Sequence, residues 1–159
     1  MWSSALEQIQ SLFKNSVFLA CIFSWFSAQF IKTVIKLFTG KISSLRELFE
    51  LLLWRTGGMP SSHSALMCTL CTSIGFRSGI DSDIFILSFC FALVVIRDAV
   101  GVRRASGIQA RVLNELGTSL CEKEILKFKP VKEVQGHKPA EVFIGCFLGV
   151  AIGIAFAVL

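Results

Sequence analysis

Long apolar segments, separated by shorter polar ones, form the main pattern along the chain. The first uncharged segment, with the lysine-containing turns that follow it, predicts a transmembrane helix over residues 16–38. Three further segments predict membrane-embedded helices over 61–77, 83–101 and 139–159. The two middle segments are short for complete spans, so we expect these helices to be tilted or to cross the bilayer only in part.

Two other stretches mix apolar and charged residues at helical spacing. Residues 106–128 predict an amphipathic interfacial helix, which we expect to lie along the membrane surface or to cover the functional site. Residues 1–14 have a similar spacing, which leaves a short interfacial helix and a frayed terminus both open. They lack the basic start and the cleavage site of a signal peptide.

The pattern therefore predicts an all-α integral membrane helix bundle in a single domain over 1–159, with about four membrane-embedded helices plus the amphipathic one. Composition agrees, since 53% of the residues are hydrophobic and the mean hydropathy is +0.68. The net charge of +5 indicates the bilayer and its anionic headgroups, and no nucleic acid, as partners. The six cysteines lie mostly in apolar segments, and we interpret them as packing residues.

The segment Gly57-Gly58-Met59-Pro60-Ser61-Ser62-His63 has several features of an anion-binding helix start. The two glycines permit a concave arrangement of backbone N–H groups, and Ser61 or Ser62 is a suitable N-cap. The helix that follows would present unpaired N–H groups and a positive dipole end, which favour phosphate. His63 could exchange protons with such a ligand. A simple loop-to-helix junction with a chance histidine fits the same residues.

The second histidine lies in a similar setting. The segment Gly136-His137-Lys138-Pro139-Ala140-Glu141 also begins an apolar helix, and Pro139 suits its first turn. His137 and Glu141 are four residues apart, so their side chains can meet on one helix face. A carboxylate held on one imidazole nitrogen fixes the tautomer and leaves the other nitrogen free to act as a nucleophile.

Charged residues near the ends of the predicted helices form a second group of candidates. Asp98 precedes Arg103 and Arg104 at the end of the third predicted helix, and guanidinium groups bind phosphate oxygens in bidentate fashion. Lys32 lies in the last turns of the first predicted helix, and Arg55 lies just before the segment 57–65. Each of these residues has an alternative interpretation as an interfacial charge, or for Lys32 as a lysine that extends to the membrane surface.

Taken together, five segments resemble the divergent branch of the type 2 phosphatidic acid phosphatase family, which is related to acid phosphatases and vanadium-dependent haloperoxidases. The segments are 57–65, 98–104, 109–110, 113–114 and 136–142. The resemblance implies phosphatase chemistry but does not select the lipid, since phosphatidate, phosphatidylglycerophosphate and polyprenyl pyrophosphate all fit. Two histidines and scattered acids form no recognisable metal-ligand set, and we expect no metal and no other cofactor.

The resemblance implies a role for each candidate residue. His137 would attack phosphorus and form a phosphohistidine, Glu141 would orient it, and His63 would protonate the leaving group and later activate water. Basic side chains and the backbone around the two serines would hold the phosphate oxygens. The substrate-binding residues implied in this way are Lys32, Arg55, Ser61, Ser62, Asp98, Arg103, Arg104 and Lys132.

The chain departs from the pattern of the family it resembles. That family's first motif pairs a lysine with an arginine seven residues later, whereas Thr39 stands at that spacing from Lys32. Its third motif has an arginine six residues before the histidine, where this chain has Val131, and Lys132 or the Arg103–Arg104 pair could substitute. The second motif has a serine in place of a glycine, and the third a glutamate in place of an aspartate.

Two functions are open at this point. One is a membrane phosphatase that hydrolyses a lipid phosphate monoester or pyrophosphate. The other is a non-catalytic membrane protein that retains the fold and binds lipid phosphate or acts as a scaffold. A small transporter is less well supported, because the sequence shows no inverted repeat with discontinuous helices.

Partners and orientation are predicted from two further patterns. Gly145, Gly149 and Gly153 form a small-residue helix face continuous with Glu141. Such a face predicts a close helix–helix contact, which could lie within the bundle, and it makes a second copy of the chain a candidate partner. With four crossings, all but two of the 16 lysines and arginines, Lys14 and Arg77, fall on the side of the predicted site. The positive-inside rule then predicts that the active-site side is cytoplasmic.

Overall fold

The computed structural model describes residues 2–39, 58–133 and 136–159. All regular elements within these ranges are helices. In chain order they are α1 Trp2–Lys14, α2 Ser16–Phe38, α3 Ser62–Ser78, α4 Asp83–Val100, α5 Val102–Glu122 and α6 Pro139–Val158. The prediction of an all-α integral membrane helix bundle is confirmed. The four membrane-embedded helices lie within one or two residues of their predicted bounds.

Polar residues at the starts of the helices explain why the boundaries could be predicted. Asn15, Ser61 and Ser82 are the N-caps of α2, α3 and α4, and each side chain accepts a hydrogen bond from a backbone N–H two or three residues later. Such caps satisfy donors that have no partner within the helix. Because the cap and the helix it starts are adjacent in sequence, these starts depend little on the rest of the fold.

The core of the bundle is the contact between α3 and α6, the most extensive helix pairing in the described ranges. Gly145, Gly149 and Gly153 of α6 lie directly against α3. A Cβ atom added at Gly145 would lie 2.5 Å from the Ser61 carbonyl oxygen, and one at Gly149 would overlap the Ala65 carbonyl oxygen. The glycine face proposed above as a contact for a second copy is therefore occupied within the chain, because only glycine lets these two backbones approach so closely.

Helices α2 and α4 pack on this central pair, α2 against both α3 and α6 and α4 mainly against α3. A buried polar contact joins three of the helices. The Thr69 hydroxyl of α3 lies 2.7 Å from Ser24 Oγ of α2 and 2.9 Å from the Gly149 carbonyl oxygen of α6. Since a buried hydroxyl without a partner is costly, this contact favours one relative placement of the helices.

Three helical stretches in the described ranges are long and apolar enough to cross a membrane: Ser16–Phe38, Asp83–Glu122 and Pro139–Val158. The second combines α4 with α5. Helix α3 is not among them: it has 17 residues, and it carries small and polar residues where it packs against its neighbours. The amphipathic helix α5 begins four residues earlier and ends six residues earlier than the predicted 106–128, and α1 is a helix rather than a frayed terminus.

Candidate functional site

The candidate site lies at the end of the bundle where α3 and α6 begin. Two backbone hydrogen bonds assemble it from distant parts of the chain. The Ser61 N–H donates to the Glu141 carbonyl oxygen at 3.0 Å, and the His137 N–H donates to the Ala99 carbonyl oxygen at 3.2 Å. The first bond joins the starts of α3 and α6, and the second joins the segment before α6 to the end of α4. Both histidine-containing segments are thereby brought to one place.

His137 and Glu141 form the pair that their spacing predicts. His137 Nδ1 lies 3.0 Å from Glu141 Oε2, and His137 is only 5% exposed. An ionised carboxylate can only accept, so in this contact Nδ1 carries the proton and Nε2 is the nitrogen with a free lone pair. The same Oε2 atom accepts a hydrogen bond from the Lys138 N–H at 3.2 Å, which fixes the carboxylate at the start of α6.

His63 lies on the first turn of α3 and is half-buried. It is close enough to interact electrostatically with His137, Lys32, Arg103 and Asp98. The prediction that both histidines lie at the same end of the bundle is confirmed. One partly accessible imidazole and one buried imidazole thus lie near several charged groups, an arrangement that can combine proton transfer with nucleophilic attack.

Lys32 reaches the site from α2, which packs against both helices of the central pair. It is only 1% exposed, and its Nζ donates to Gln29 Oε1 at 3.1 Å. It also interacts electrostatically with Lys36 and Glu141. Gly58, in the loop before α3, lies against the Lys32 side chain, with a Cβ built there 3.6 Å from Lys32 Cγ. A lysine so deeply buried is uncommon in proteins and is a reason to suspect a function.

A charged cluster lies at the end of α4 and the start of α5, within electrostatic reach of His63. Arg103 Nε donates to Asp98 Oδ2 at 2.6 Å, and both side chains remain partly exposed. Arg104 is exposed, and its backbone packs so closely against Gly136 that a Cβ atom on that glycine would overlap it. The segment leading to His137 therefore crosses directly over the start of α5.

Comparison with known sequences identifies the family of the chain. The sequence profile of the Divergent PAP2 family matches residues 13–152. The chain belongs to the Divergent PAP2 family. A Bacillus subtilis (strain 168) protein named "Uncharacterized membrane protein YuiD" is 36% identical, and the alignment covers 92% of this chain and 96% of that protein. No solved structure matches the chain. Family membership makes this a membrane protein related to the PAP2 phosphatases.

The two serines that the family's second motif contributes are both buried, and Ser61 is engaged in structural contacts. Its N–H donates to the Glu141 carbonyl, and its Oγ accepts from the Ser64 N–H at 3.4 Å and from Ser64 Oγ at 3.0 Å. The predicted use of the Ser61 backbone N–H for phosphate therefore does not fit this arrangement. Ser61 instead joins the starts of α3 and α6. Ser62, at the first position of α3, stays a predicted phosphate contact.

Among the predicted basic residues, Lys132 is held beside the middle of α5. Lys132 is exposed, and the residues on either side of it are held by Asn114, whose side chain accepts from the Val131 N–H at 2.8 Å and donates to Glu133 Oε1 at 3.1 Å. Asn114 lies about three turns, or roughly 16 Å, beyond Arg103 on α5. Lys132 is therefore a poor substitute for the missing motif arginine. Arg55 lies outside the described residues.

The structure also identifies site residues that the sequence did not indicate. Gln29 holds the amine of Lys32, and it could have been found as a polar residue one turn before a lysine in an apolar segment. The Ala99 carbonyl oxygen anchors the His137 backbone, and no sequence pattern points to a carbonyl group. In the described ranges, no three His, Cys, Asp or Glu side chains are grouped so that they could hold a metal ion.

Proposed function

We propose that this protein is a membrane phosphatase that hydrolyses a lipid phosphate monoester or pyrophosphate through a phosphohistidine intermediate. The observation that carries the proposal is the buried contact of 3.0 Å between His137 Nδ1 and Glu141 Oε2, beside a second histidine. A carboxylate that holds one nitrogen orients the ring and makes the other nitrogen a better nucleophile. Membership of the Divergent PAP2 family supports the same chemistry.

In the first half of the reaction, Nε2 of His137 attacks phosphorus. A P–N bond forms as the bond from phosphorus to the lipid oxygen breaks. Protonated His63 gives its proton to the departing oxygen, so that the lipid leaves as a neutral alcohol or, from a pyrophosphate, as a lipid phosphate. Glu141 stabilises the positive charge that develops on the His137 ring.

In the second half of the reaction, the P–N bond is hydrolysed. His63, now neutral, takes a proton from a water molecule, and the oxygen of that water attacks phosphorus. Inorganic phosphate leaves, His137 regains its neutral form, and His63 is protonated for the next cycle. The two histidines thus have different roles: His137 carries the phosphoryl group and His63 moves protons.

Cations near His63 suit the charge on the phosphoryl oxygens. Lys32 of α2 and Arg103 at the start of α5 lie within electrostatic reach of His63, and Arg104 follows Arg103 in sequence. Charge in phosphoryl transfer is spread over the three equatorial oxygens, and fixed cations stabilise it without needing to reorganise. Asp98, paired with Arg103 at 2.6 Å, orients the guanidinium.

A lipid is the substrate class that the setting favours. His137 lies just before α6, which is apolar enough to cross a membrane, and His63 lies on the first turn of α3 at the same end of the bundle, so a phosphate at the headgroup level of the bilayer can reach them while its acyl or prenyl chain stays in the membrane. Phosphatidate, phosphatidylglycerophosphate and polyprenyl pyrophosphate each satisfy this requirement.

A non-catalytic lipid-phosphate-binding protein is the second candidate. The observation that favours it is the ion pair between Arg103 and Asp98, which engages a cation that the reaction would use on phosphate. The missing motif arginine and the distant placement of Lys132 also favour a non-catalytic protein, because both reduce the positive charge around the phosphate position.

Phosphate release from the three candidate lipids, measured with purified protein in detergent, tests the proposal. We expect the wild type to release phosphate from at least one of them, and His137→Asn to lose this activity. Glu141→Gln should be slower on the order of 100-fold, within the range for groups that assist proton transfer and nucleophilic attack. Glu133→Gln is the matched control, since Glu133 is four residues before His137 and pairs with Asn114 and Arg111 instead.

The intermediate provides an independent readout. A leaving phosphate needs less protonation than a leaving alkoxide, so His63→Asn should still be phosphorylated by a pyrophosphate substrate but should hydrolyse slowly. Acid-labile label from the terminal phosphate should therefore accumulate on this variant and be absent from His63→Asn/His137→Asn. A His137→Asn protein that works as fast as the wild type would overturn the mechanism. A wild type that binds these lipids without hydrolysing them would favour the second candidate.

A further inference from the structure

A cavity lies at the opposite end of the bundle from the histidines, between the start of α2 and the ends of α3 and α6. Its volume is about 240 Å³, and its walls include Ser16, Ser73, Phe76, Arg77 and Phe156. That volume corresponds to roughly eight water molecules in the liquid. Since Ser73 lies about 15 Å beyond His63 along α3, the cavity is separate from the candidate catalytic site.

Ser73 is the first indication that the cavity binds something. It is only 6% exposed, and its hydroxyl has no hydrogen-bond partner in the described part of the chain. Buried polar groups are nearly always hydrogen-bonded, because leaving one unpaired costs about 1–3 kcal/mol. The unpaired hydroxyl lines the cavity, so a ligand there could supply the missing partner.

Arg77 gives the cavity its charge. Its Nη1 donates to Asn15 Oδ1 at 3.2 Å, and the same oxygen accepts from the Val17 N–H at 3.0 Å as the cap of α2. Asn15 therefore holds the guanidinium beside the N-terminus of a helix. Both a guanidinium and a helix N-terminus attract anions, and Ser16 adds a hydroxyl at the same place.

The remaining walls are apolar. Phe76 is 61% exposed, and Phe156 of α6 forms the other side of the opening. Such a lining does not suit a free hydrated ion, but it does suit a group that carries hydrocarbon next to its charge. The cavity lies at the ends of α2 and α6, both long and apolar enough to cross a membrane, where lipid headgroups are found.

We propose that this cavity binds the headgroup of an anionic phospholipid in the leaflet opposite the histidines. Its phosphate oxygens contact Arg77 and Ser16, the polar part of the headgroup hydrogen-bonds to Ser73, and the start of an acyl chain lies against Phe76 and Phe156. The bound lipid joins the start of α2 to the ends of α3 and α6. The inference does not depend on the proposed phosphatase reaction, since none of these residues takes part in it.

Thermal unfolding of the purified protein in neutral detergent tests the proposal. Short-chain phosphatidylglycerol, phosphatidylcholine of the same chain length, and inorganic phosphate are added separately. Because a ligand that binds only the folded state raises the Tm, we expect phosphatidylglycerol to raise it more than the other two. The shift should fall by at least half in Arg77→Gln and in Ser73→Leu, which fills the cavity. Lys14→Gln removes a neighbouring charge outside the cavity and should keep the full shift.

Each other outcome contradicts the proposal in a different way. Equal shifts with both lipids would show that the headgroup charge is not recognised. A shift with inorganic phosphate as large as that with phosphatidylglycerol would indicate a site for free anions. An undiminished shift in both Arg77→Gln and Ser73→Leu would place the lipid elsewhere, and if Arg77→Gln does not fold, Ser73→Leu alone decides this point.

Discussion

Lys32 is almost completely buried, which is an unusual environment for a lysine. Its amine lies in the interior of the bundle with Gln29 as the hydrogen-bond acceptor, and a Glu141 carboxylate is within electrostatic reach. Burying a cation costs free energy that such partners repay only in part. A position that is unfavourable for stability and close to His63 and Glu141 is typical of a residue retained for function.

The variant Lys32→Met separates the effect of Lys32 on stability from its effect on catalysis. Methionine has a similar length and no charge, so we expect the Tm to stay the same or rise, while phosphate release falls by at least tenfold through the loss of a cation near the phosphoryl oxygens. Differential scanning fluorimetry and phosphate release measure the two quantities. Lys127→Met makes the same change at an exposed position and should alter neither. A lower Tm with unchanged activity would make Lys32 a structural residue.

At the scale of elements, the pairing of α3 with α6 positions the chemistry. His63 is on the first turn of α3, and Glu141 is on the first turn of α6. The distance between the two histidines therefore depends on how closely these helices approach. The three glycines of α6 set that approach along most of the interface, and the hydrogen bond from the Ser61 N–H to the Glu141 carbonyl sets it at the site.

Gly149→Ala tests this dependence away from the site. The added methyl group would overlap the Ala65 carbonyl oxygen, so the helices must separate. We expect a loss of about 1–3 kcal/mol in the free energy of unfolding. Phosphate release should fall by more than a smaller folded fraction alone would cause, because small displacements of reacting groups have large effects on rate. Ala151→Val, at an exposed position of the same helix, should change neither. Gly149→Ala with wild-type Tm and activity would show that close packing here is not required.

The two ends of the whole molecule differ in charge and in chemistry. Both histidines, Lys32 and the Asp98–Arg103 pair lie at one end, and the connections that leave that end carry most of the basic residues. The other end has Lys14 and Arg77. A phosphate site needs basic residues for binding, which explains part of this excess of lysines and arginines. The excess at this end persists when the candidate phosphate ligands are left out of the count. We therefore propose that the active-site end faces the cytoplasm.

Single-cysteine labelling in a protein without its native cysteines measures this orientation. A cysteine at exposed Ser119, on α5, should resist an impermeant thiol reagent in intact cells and react after permeabilisation. A cysteine at Ser78, exposed at the other end of α3, should react without permeabilisation. The reverse labelling pattern would place the histidines outside and would imply a substrate from the outer leaflet.

Much of the architecture could be predicted because it depends on residues that are neighbours in sequence. The bounds of α2 follow from one apolar segment and its Asn15 cap, and the contact between His137 and Glu141 follows from their spacing on one helical turn. The end of α5 was less well predicted, because the amphipathic pattern continues past Glu122, where the helix stops. Local patterns therefore determined which helices form and one pair of site residues.

Only the tertiary structure decided how these local pieces combine. Lys32 and Lys132 were both candidate phosphate ligands because of their charge, yet Lys32 is buried within electrostatic reach of His63, whereas Lys132 is exposed between two residues that Asn114 holds. The glycine face of α6 could have contacted a second copy, and it contacts α3 instead. Ser61 looked like a phosphate donor, but its N–H joins two helices. Each of these outcomes depends on which distant segments compete for the same donor or surface, and no single stretch of sequence contains that information.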